Sequence, residues 1–552
     1  MYLKMSLIKG WKNDGHHYDE IERHHVYNNI VKHANNNPKK VKNFKRISKK
    51  AFSGDNVLCH IPRILSIGDH HVIYVGVQQR ARALHAFIED HYFGHKTYRS
   101  FVHDSNMNNI LNRSHEHKFI QKYEQGHTRQ YGFLYGPDII RGPDSHFYVC
   151  EDNIGYLGGI GDLCLANQLL LDHFPEYLPY LHKSNPMILY KQISQLCHQF
   201  VEPHEILLYL KYPRTMSADH EEDRASKIFS SMGFKIATIP LKKSDRKIFV
   251  MDDGVYYVDG SSKQKIGCMM LGCEPFDVDP QNALMIKQVI TDEAHLKLSY
   301  YQSQIEKNVK KNIKKNTDKN HLNKQKYEHL YQKLFDLIQR IVHFPNNHNF
   351  TLLSRFLRRH HQQDFKNLLS KGIPKIFDAY FEGKVRLINS GGFDFLGDKG
   401  FYPYVEKCIA HYLNEQPILK SIPTQQIRPS NIDTVFDPNV QHNVVVKGCI
   451  GRGGDSVFVG CKIPRQEFLK CKNKVVRKMD NYIVQKYIPL STCDKYLVDL
   501  RAISCVTSNH GQLRLAVGST FWGRGVVKDS NGKVNLSDEG VEFAVFREHQ
   551  GH

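Results

Sequence analysis

Three oxygen-bearing side chains, Asp138, Glu151 and Asn153, stand where one short hairpin can gather them. Asp138-Ile-Ile-Arg141 is predicted as a strand, Gly142-Pro143-Asp144 as a turn, and His146 to Glu151 as the returning strand running on to Asn153. Alternation along that strand puts Glu151 and Asn153 on one face and Asp152 on the other. Two carboxylates and an amide gathered in this way suit Mg2+. That ion keeps several waters and completes its shell with substrate phosphates. The plainer alternative is that Glu151 and Asp152 end a strand and face water.

A cationic set lies far along the chain. Asn443 to Gly460 reads NVVVKGCIGRGGDSVFVG: three valines deliver Lys447 at a strand end, a turn follows with Gly451, Gly453 and Gly454, and VFVG returns as a strand. Glycines in such a turn let backbone N–H groups approach a row of phosphates, and Lys447 adds a point charge beside them. No Gly-Lys-Ser/Thr follows, so this is not a Walker A loop, and Ser456 stands where a dinucleotide fingerprint needs its third glycine. By itself the stretch is equally an ordinary hairpin with a flexible tip. Upstream, Val385 to Asn389 is predicted as a strand, followed by a glycine turn and Asp398-Lys399 at the start of an amphipathic helix. A lysine in that position is a good phosphate ligand.

Other chemistries find little support. Eight of the 33 histidines fall in four doublets such as His70-His71, whose members point apart, and no H-E-x-x-H is present. The 12 cysteines show no C-x-x-C pair, which suits reduced thiols. No convincing nucleophile–base–acid triad is present. No run of eighteen apolar residues suggests a membrane span, and the first residues lack a secretory signal pattern, so a cytoplasmic location is expected. The net charge of +20 fits polyanionic ligands of several kinds. With no nucleic-acid motif or aromatic interleaving beside the charge, nucleic acid is not the expected partner.

The elements that must hold these residues divide 552 positions into several units. Residues 1–55 are polar and read as peripheral helices. Residues 56–164 carry the hairpin, preceded by a strand at VIYV and a helix from Gln78 to Phe93 with Ala81, Leu84, Phe87 and Ile88 buried. Residues 165–280 alternate helix and strand as a small α/β unit. Residues 281–370 are a lysine-dense helical insertion whose apolar positions Leu330, Leu334, Leu337, Ile338 and Ile341 have helical spacing. Residues 371–552 return to strands and turns, with a helix over Pro464 to Val475, Asp499 and Arg501 on one face of a strand, and Arg524 on another strand.

Taken together, several separated motifs resemble the circularly permuted ATP-grasp family, related to glutathionylspermidine synthase-like amide ligases. They are IPRI with VGVQQRARALHAFIEDHY, DIIRGPDSHFYVCEDN, INSGGFDFLGDKGFYPYVEKCIAHYLNEQPIL, NVVVKGCIGRGG, YIVQKYIPLS and YLVDLRAI, in the family's permuted order. The resemblance implies an α+β fold with two ATP-grasp lobes, an additional small α/β domain and the basic helical insertion. It implies that Lys399 and Lys447 hold ATP phosphates under the loop Gly451, Gly453 and Gly454. Around Gln485, the hinge through Lys486, Tyr487 and Ile488 would meet adenine. Asp138, Glu151 and Asn153 would hold Mg2+, with Arg141 and Arg501 near the transferred phosphate.

The implied reaction joins a small-molecule or peptide carboxylate to an amine with Mg-ATP. Three departures fall on the acid and amine side. Ile154-Gly155-Tyr156-Leu157-Gly158-Gly159 replaces an arginine and Pro-Ser-Gly, Cys268 to Cys273 replaces a paired-arginine strand, and Asn535 to Phe546 replaces a terminal Lys-Asp-Thr-Trp segment. Alternatives are a phosphotransferase or catalytically degenerate ATP binder, and a basic polyanion-binding protein acting through the insertion.

Overall fold

The computed structural model describes residues 8–13, 15–52, 57–126, 128–183, 185–213, 220–240, 243–278, 298, 301–303, 328–336, 372–450, 456–530, 532–534 and 540–549. Two compact units are formed, Met1–Ile236 with Ile266–Gly272 and Phe381–His552, and Ala237–Lys265 with Cys273–Tyr380. This differs from expected boundaries at 55, 164 and 280. Helices Met187–His198 and Glu221–Ser231 and strand Ile206–Lys211 share one core with Leu134, Leu157, Ile503 and Trp522, so no seam falls at 164.

The first unit is built on a nine-stranded sheet among the described residues. Its path runs Arg63–Leu65, Val541–Glu548, Trp522–Val527, Tyr496–Arg501, Asp138–Arg141, Phe147–Glu151 and Lys420–Ser421. Strands from the first third and the last tenth of the chain therefore lie side by side. A four-stranded antiparallel sheet of Thr424–Gln426, Tyr482–Lys486, Val444–Gly448 and Val457–Val459 forms the second platform. Helix Arg465–Arg477 presses Phe468, Cys471 and Val475 into the core of that platform, where Val444, Val446 and Val484 also lie. The two expected strands on either side of the glycine stretch are present and paired, with Lys447 opposite Val457. In the parallel array Ile206–Lys211, Ile266–Gly272 and Arg386–Ile388, Cys268, Met269 and Met270 are fully enclosed.

Two expectations give way here. VIYV is not a strand but part of one helix, Ile67–Ile88. Ser66 caps its start by accepting from the Asp69 N–H at 3.0 Å. Ile73, Val77, Ala81, Leu84 and Ile88 then bury one continuous face, and that burial overrides the β-propensity of the short valine-isoleucine run. Gly76 lets the helix approach Leu419, because a Cβ there would lie 2.4 Å from Leu419 Cγ. The N-terminal segment is not peripheral either. Val26, Tyr27, Ile30, Phe44 and Phe52 join a core with Phe174 and Phe543, and Ile8 and Trp11 join that of the four-stranded platform. Glu20 forms a fully buried ion pair with Arg63.

In the second unit, strands Ile248–Met251 and Gly254–Asp259 and the start of Ser262–Gly272 form an antiparallel meander. Of the insertion, residues 328–336 are helical with Leu334 buried. Leu337, Ile338, Ile341 and most of the lysine-dense run lie outside the described residues.

Candidate active site

The hairpin closes as its sequence implies. Asp138 pairs with Glu151, and the register shifts between Asp138 and Ile139, a bulge that re-aims the strand end. Glu151 and Asp152 then part company. Glu151 Oε1 meets Lys399 Nζ at 2.8 Å. Burial works against the charge on Lys399, but the Glu151 carboxylate outweighs it and raises the lysine above its usual range. Asp152 turns to the opposite side, where Arg80 Nη2 donates to it at 2.6 Å and the Tyr135 hydroxyl at 2.6 Å. Asn153 uses its amide N–H to donate to the Gly136 carbonyl at 3.1 Å, which leaves its oxygen end as an acceptor.

The second platform meets this strand end. Lys447 Nζ lies 3.4 Å from the Cys150 carbonyl oxygen, and Gln485 Nε2 lies 3.5 Å from the same oxygen and 3.0 Å from Thr424 Oγ1. The two lysines are tied through their backbones, since the Lys399 N–H donates to the Cys449 carbonyl at 3.1 Å. Lys399 sits in a turn after the 3-10 segment Asp394–Gly397, ahead of the helical turns that begin at Tyr402, and not at a helix start. Beyond Gln485, the Lys486 N–H donates to Pro423 and the Tyr487 N–H to Asn443. The Tyr487 ring packs with Val445 and Val459, and Ile488 follows at the strand's exit. Gly451, Gly453 and Gly454 lie outside the described residues.

Asp138 is placed differently from a free metal ligand. Arg501 grips both its oxygens at 2.7 and 3.0 Å, and Arg524 Nη2 adds a contact at 2.9 Å. Arg524 in turn holds Asp499, its direct cross-strand neighbour, at 3.0 and 2.7 Å. Burial alone would raise Asp138, but the two guanidinium groups outweigh it and hold the carboxyl well below its usual range. Both arginines lie over the Trp522 ring, at 5.6 and 5.3 Å. Arg524, Asp499 and Trp522 had no role in the sequence reading. The register that sets Arg524 opposite Asp499 was the missing signal.

Arg141 does not join this group. It faces Phe147 across the far end of the hairpin, about 10 Å along the strand from Asp138. Asp69 takes its guanidinium at 2.8 Å, and Tyr18 and Phe147 flank it at 4.3 and 4.8 Å.

The donor set accepts a hard cation in part. Glu151 retains some exposure and Asn153 offers an amide oxygen, whereas Asp138 is taken up by arginines. Among the described residues no three His, Cys, Asp or Glu form a self-sufficient metal cage. An ion that takes much of its shell from water and phosphate does not need one.

The model of one family, described as circularly permuted ATP-grasp type 2, matches residues 62–204 and 357–522, more than half of the chain. The chain belongs to the circularly permuted ATP-grasp type 2 family. Every described residue of the Glu151–Lys399–Lys447 meeting falls inside the segments matched to the ATP-grasp model. Two partial relatives agree over a shorter stretch. The uncharacterized protein sll0335 of Synechocystis sp. is 31% identical over 121 residues, 22% of this chain and 25% of that protein. The putative glutamate–cysteine ligase 2-3 of Frankia alni is 29% identical over 120 residues, 22% of this chain and 14% of that protein. The chain thus spans a quarter or less of the length of these relatives. The structure of a glutathione synthetase-like effector (GSS30) from Globodera pallida, in its apo form, aligns with a TM-score of 0.47 at 10% identity, covering 92% of this chain and 96% of that one. Among the described residues no helix is long and apolar enough to cross a membrane.

Proposed function

We propose that this ATP-grasp protein is an ATP-dependent carboxylate–amine ligase that forms an amide or peptide bond through an acyl phosphate. The observation that carries the reading is the meeting of Lys399 and Lys447 with the Glu151 strand end, from segments some 250 to 300 positions apart. One lysine paired with the Glu151 carboxylate and a second at the same strand end suit a polyphosphate with its counter-ion. Lys399 and Lys447 would neutralise the ATP phosphates, and the loop with Gly451, Gly453 and Gly454 would cover them. Gln485 to Ile488 would present backbone groups and the Val445–Val459–Tyr487 surface to adenine. Glu151 and Asn153 would hold Mg2+, with Asp138 joining them only on release from Arg501 and Arg524. Bound Mg2+ would withdraw charge from the transferring phosphoryl group.

The chain's own residues do the rest by positioning and charge. Arg501 and Arg524, preorganised by Asp138 and Asp499, would orient the anionic acid and its acyl phosphate. The substrate carboxylate takes the γ-phosphoryl group with release of ADP. The amine then attacks the acyl carbon and phosphate leaves with the bonding pair. The name of the Frankia relative fits the same class of reaction.

One observation favours a second reading, an ATP-binding phosphotransferase or regulator without ligation. Cys268, Met269 and Met270 are enclosed where paired arginines were expected, so that strand offers the acid nothing. Incubation with ATP, Mg2+ and a library of peptides and polyamines separates the two, followed by mass spectrometry and ADP release. Amine-dependent ADP release with a condensed product supports the ligase. ADP release with a phosphorylated acceptor and no condensed product supports the phosphotransferase, and ATP binding with no ADP release under any mixture supports the regulator.

A further inference from the structure

Lys399 is not held in place by its own strand or helix. The turn that carries it, Gly392 to Gly400, is gripped by four consecutive residues from elsewhere in the chain, Arg113 to Glu116. Arg113 ends helix Asp104–Arg113 and clamps Asp398, Nε to Oδ2 at 2.7 Å and Nη2 to Oδ1 at 2.9 Å. Its Nη1 donates to the Asp480 carbonyl at 2.9 Å, just before strand Tyr482–Lys486. Asp398 passes the constraint on, because its Oδ1 also accepts the Gly400 N–H at 2.6 Å. Lys399 is thereby fixed between a clamped side chain and a clamped peptide. At the other end of the turn Ser114 Oγ and the His115 N–H hold Asp394, and Glu116 accepts the N–H groups of Gly392 and Phe393.

We propose that Arg113, through Asp398, is a positioning residue that aims Lys399 at the Glu151 carboxylate and, on the reading above, at the ATP phosphates. Both partners are almost fully buried, so the bidentate pair is a fixed strut and not a mobile surface contact. A long lysine loses rotamer freedom when it is aimed, and a turn held at both ends does that ordering before any ligand arrives. Outer-shell partners of metal ligands are commonly worth about 10- to 100-fold, which sets the scale for a support of this kind.

The first readout needs no nucleotide. Lysine-selective acylation followed by mass spectrometry compares the reactivity of Lys399 in the wild type, Arg113→Ala and Asp398→Asn, with Lys40 as a distant reference because it pairs with Glu176. We expect Lys399 labelling to rise severalfold in both variants while Lys40 labelling is unchanged. Asp398→Asn keeps the side-chain shape, and serves where Arg113→Ala does not fold. Unchanged Lys399 labelling in Asp398→Asn overturns the proposal. The second readout is affinity. Mg-ATP binding should weaken about tenfold, with partial recovery in Arg113→Lys, while adenosine binding stays as in the wild type. An equal loss of adenosine affinity would show a general structural role and also overturn it. A labelling rise in the variants together with a wild type that binds no Mg-ATP refutes the nucleotide site while leaving the strut that aims Lys399 standing.

Discussion

Glu151 ends a strand and Asp152 follows it, each paired with a cation brought from elsewhere in the chain. The Arg80–Asp152 side chains are 0% exposed on both sides, and Tyr135 and Ser421 satisfy the remaining hydrogen bonds. The Lys399–Glu151 pair is 8% and 26% exposed. The difference separates two uses of an ion pair. A sealed, fully bonded pair fixes the strand, and removing one partner strands a charge without water. A half-open pair whose lysine supplies one compact charge can exchange partners, and so can admit a phosphate and a metal ion. The opposite directions of consecutive side chains where the strand ends decide which carboxylate receives which role.

Breaking the sealed side should produce the largest effect. Asp152→Ala leaves Arg80 charged and enclosed, and should cost about 3–5 kcal/mol of stability, read as a lowered urea midpoint. A midpoint close to wild type would remove the distinction between the two faces. Breaking the open side should leave the midpoint near wild type and act on chemistry. Glu151→Gln is expected to lower ADP release by about a hundredfold or more. If that variant unfolds as readily as Asp152→Ala, Glu151 is structural as well.

A surface pair sharpens the scale from below. Arg99→Ala removes the exposed contact with Asp104 and should change stability by no more than about 1 kcal/mol.

A pH dependence probes burial without a charged partner. His91 lies buried with its ring stacked on Phe87, its Nε2 has no hydrogen-bond partner among the described residues, and burial pushes it from 6.5 down to about 3. The folded protein therefore refuses a proton that the unfolded chain accepts. The His91 contribution is constant above about pH 6.5 and is lost as pH falls toward 3. His91→Phe should flatten that part of the acid limb of the urea midpoint between pH 7 and 5. An unchanged slope would assign the limb to other groups.

Much of this was legible in the sequence because it rests on local rules. The hairpin Asp138–Arg141/Phe147–Glu151, the opposite directions of Glu151 and Asp152, and the paired strands Val444–Gly448 and Val457–Val459 follow from turn residues and period two. What was not legible depends on distant neighbours. VIYV became helical because its face is buried along Ile67–Ile88, and the N-terminal helices found a core with Phe174 and Phe543. The arginine clamp on Asp138 needs three strands far apart in sequence, Asp138–Arg141, Tyr496–Arg501 and Trp522–Val527, to lie adjacent in one sheet. The family resemblance gives Arg141 and Arg501 the same expected place, near the transferred phosphate. Only the structure shows one bound to Asp69 and the other to Asp138.

The central claim is that Glu151 and the two lysines form a single Mg-ATP site. Calorimetric titration of ATP with and without Mg2+ into wild type, Glu151→Gln and Lys447→Ala tests it directly. In the wild type Mg2+ should strengthen ATP binding. In Lys447→Ala binding should be weaker at either condition, yet still strengthened by Mg2+. In Glu151→Gln the Mg2+ enhancement should vanish. An enhancement that survives intact in Glu151→Gln would contradict the account.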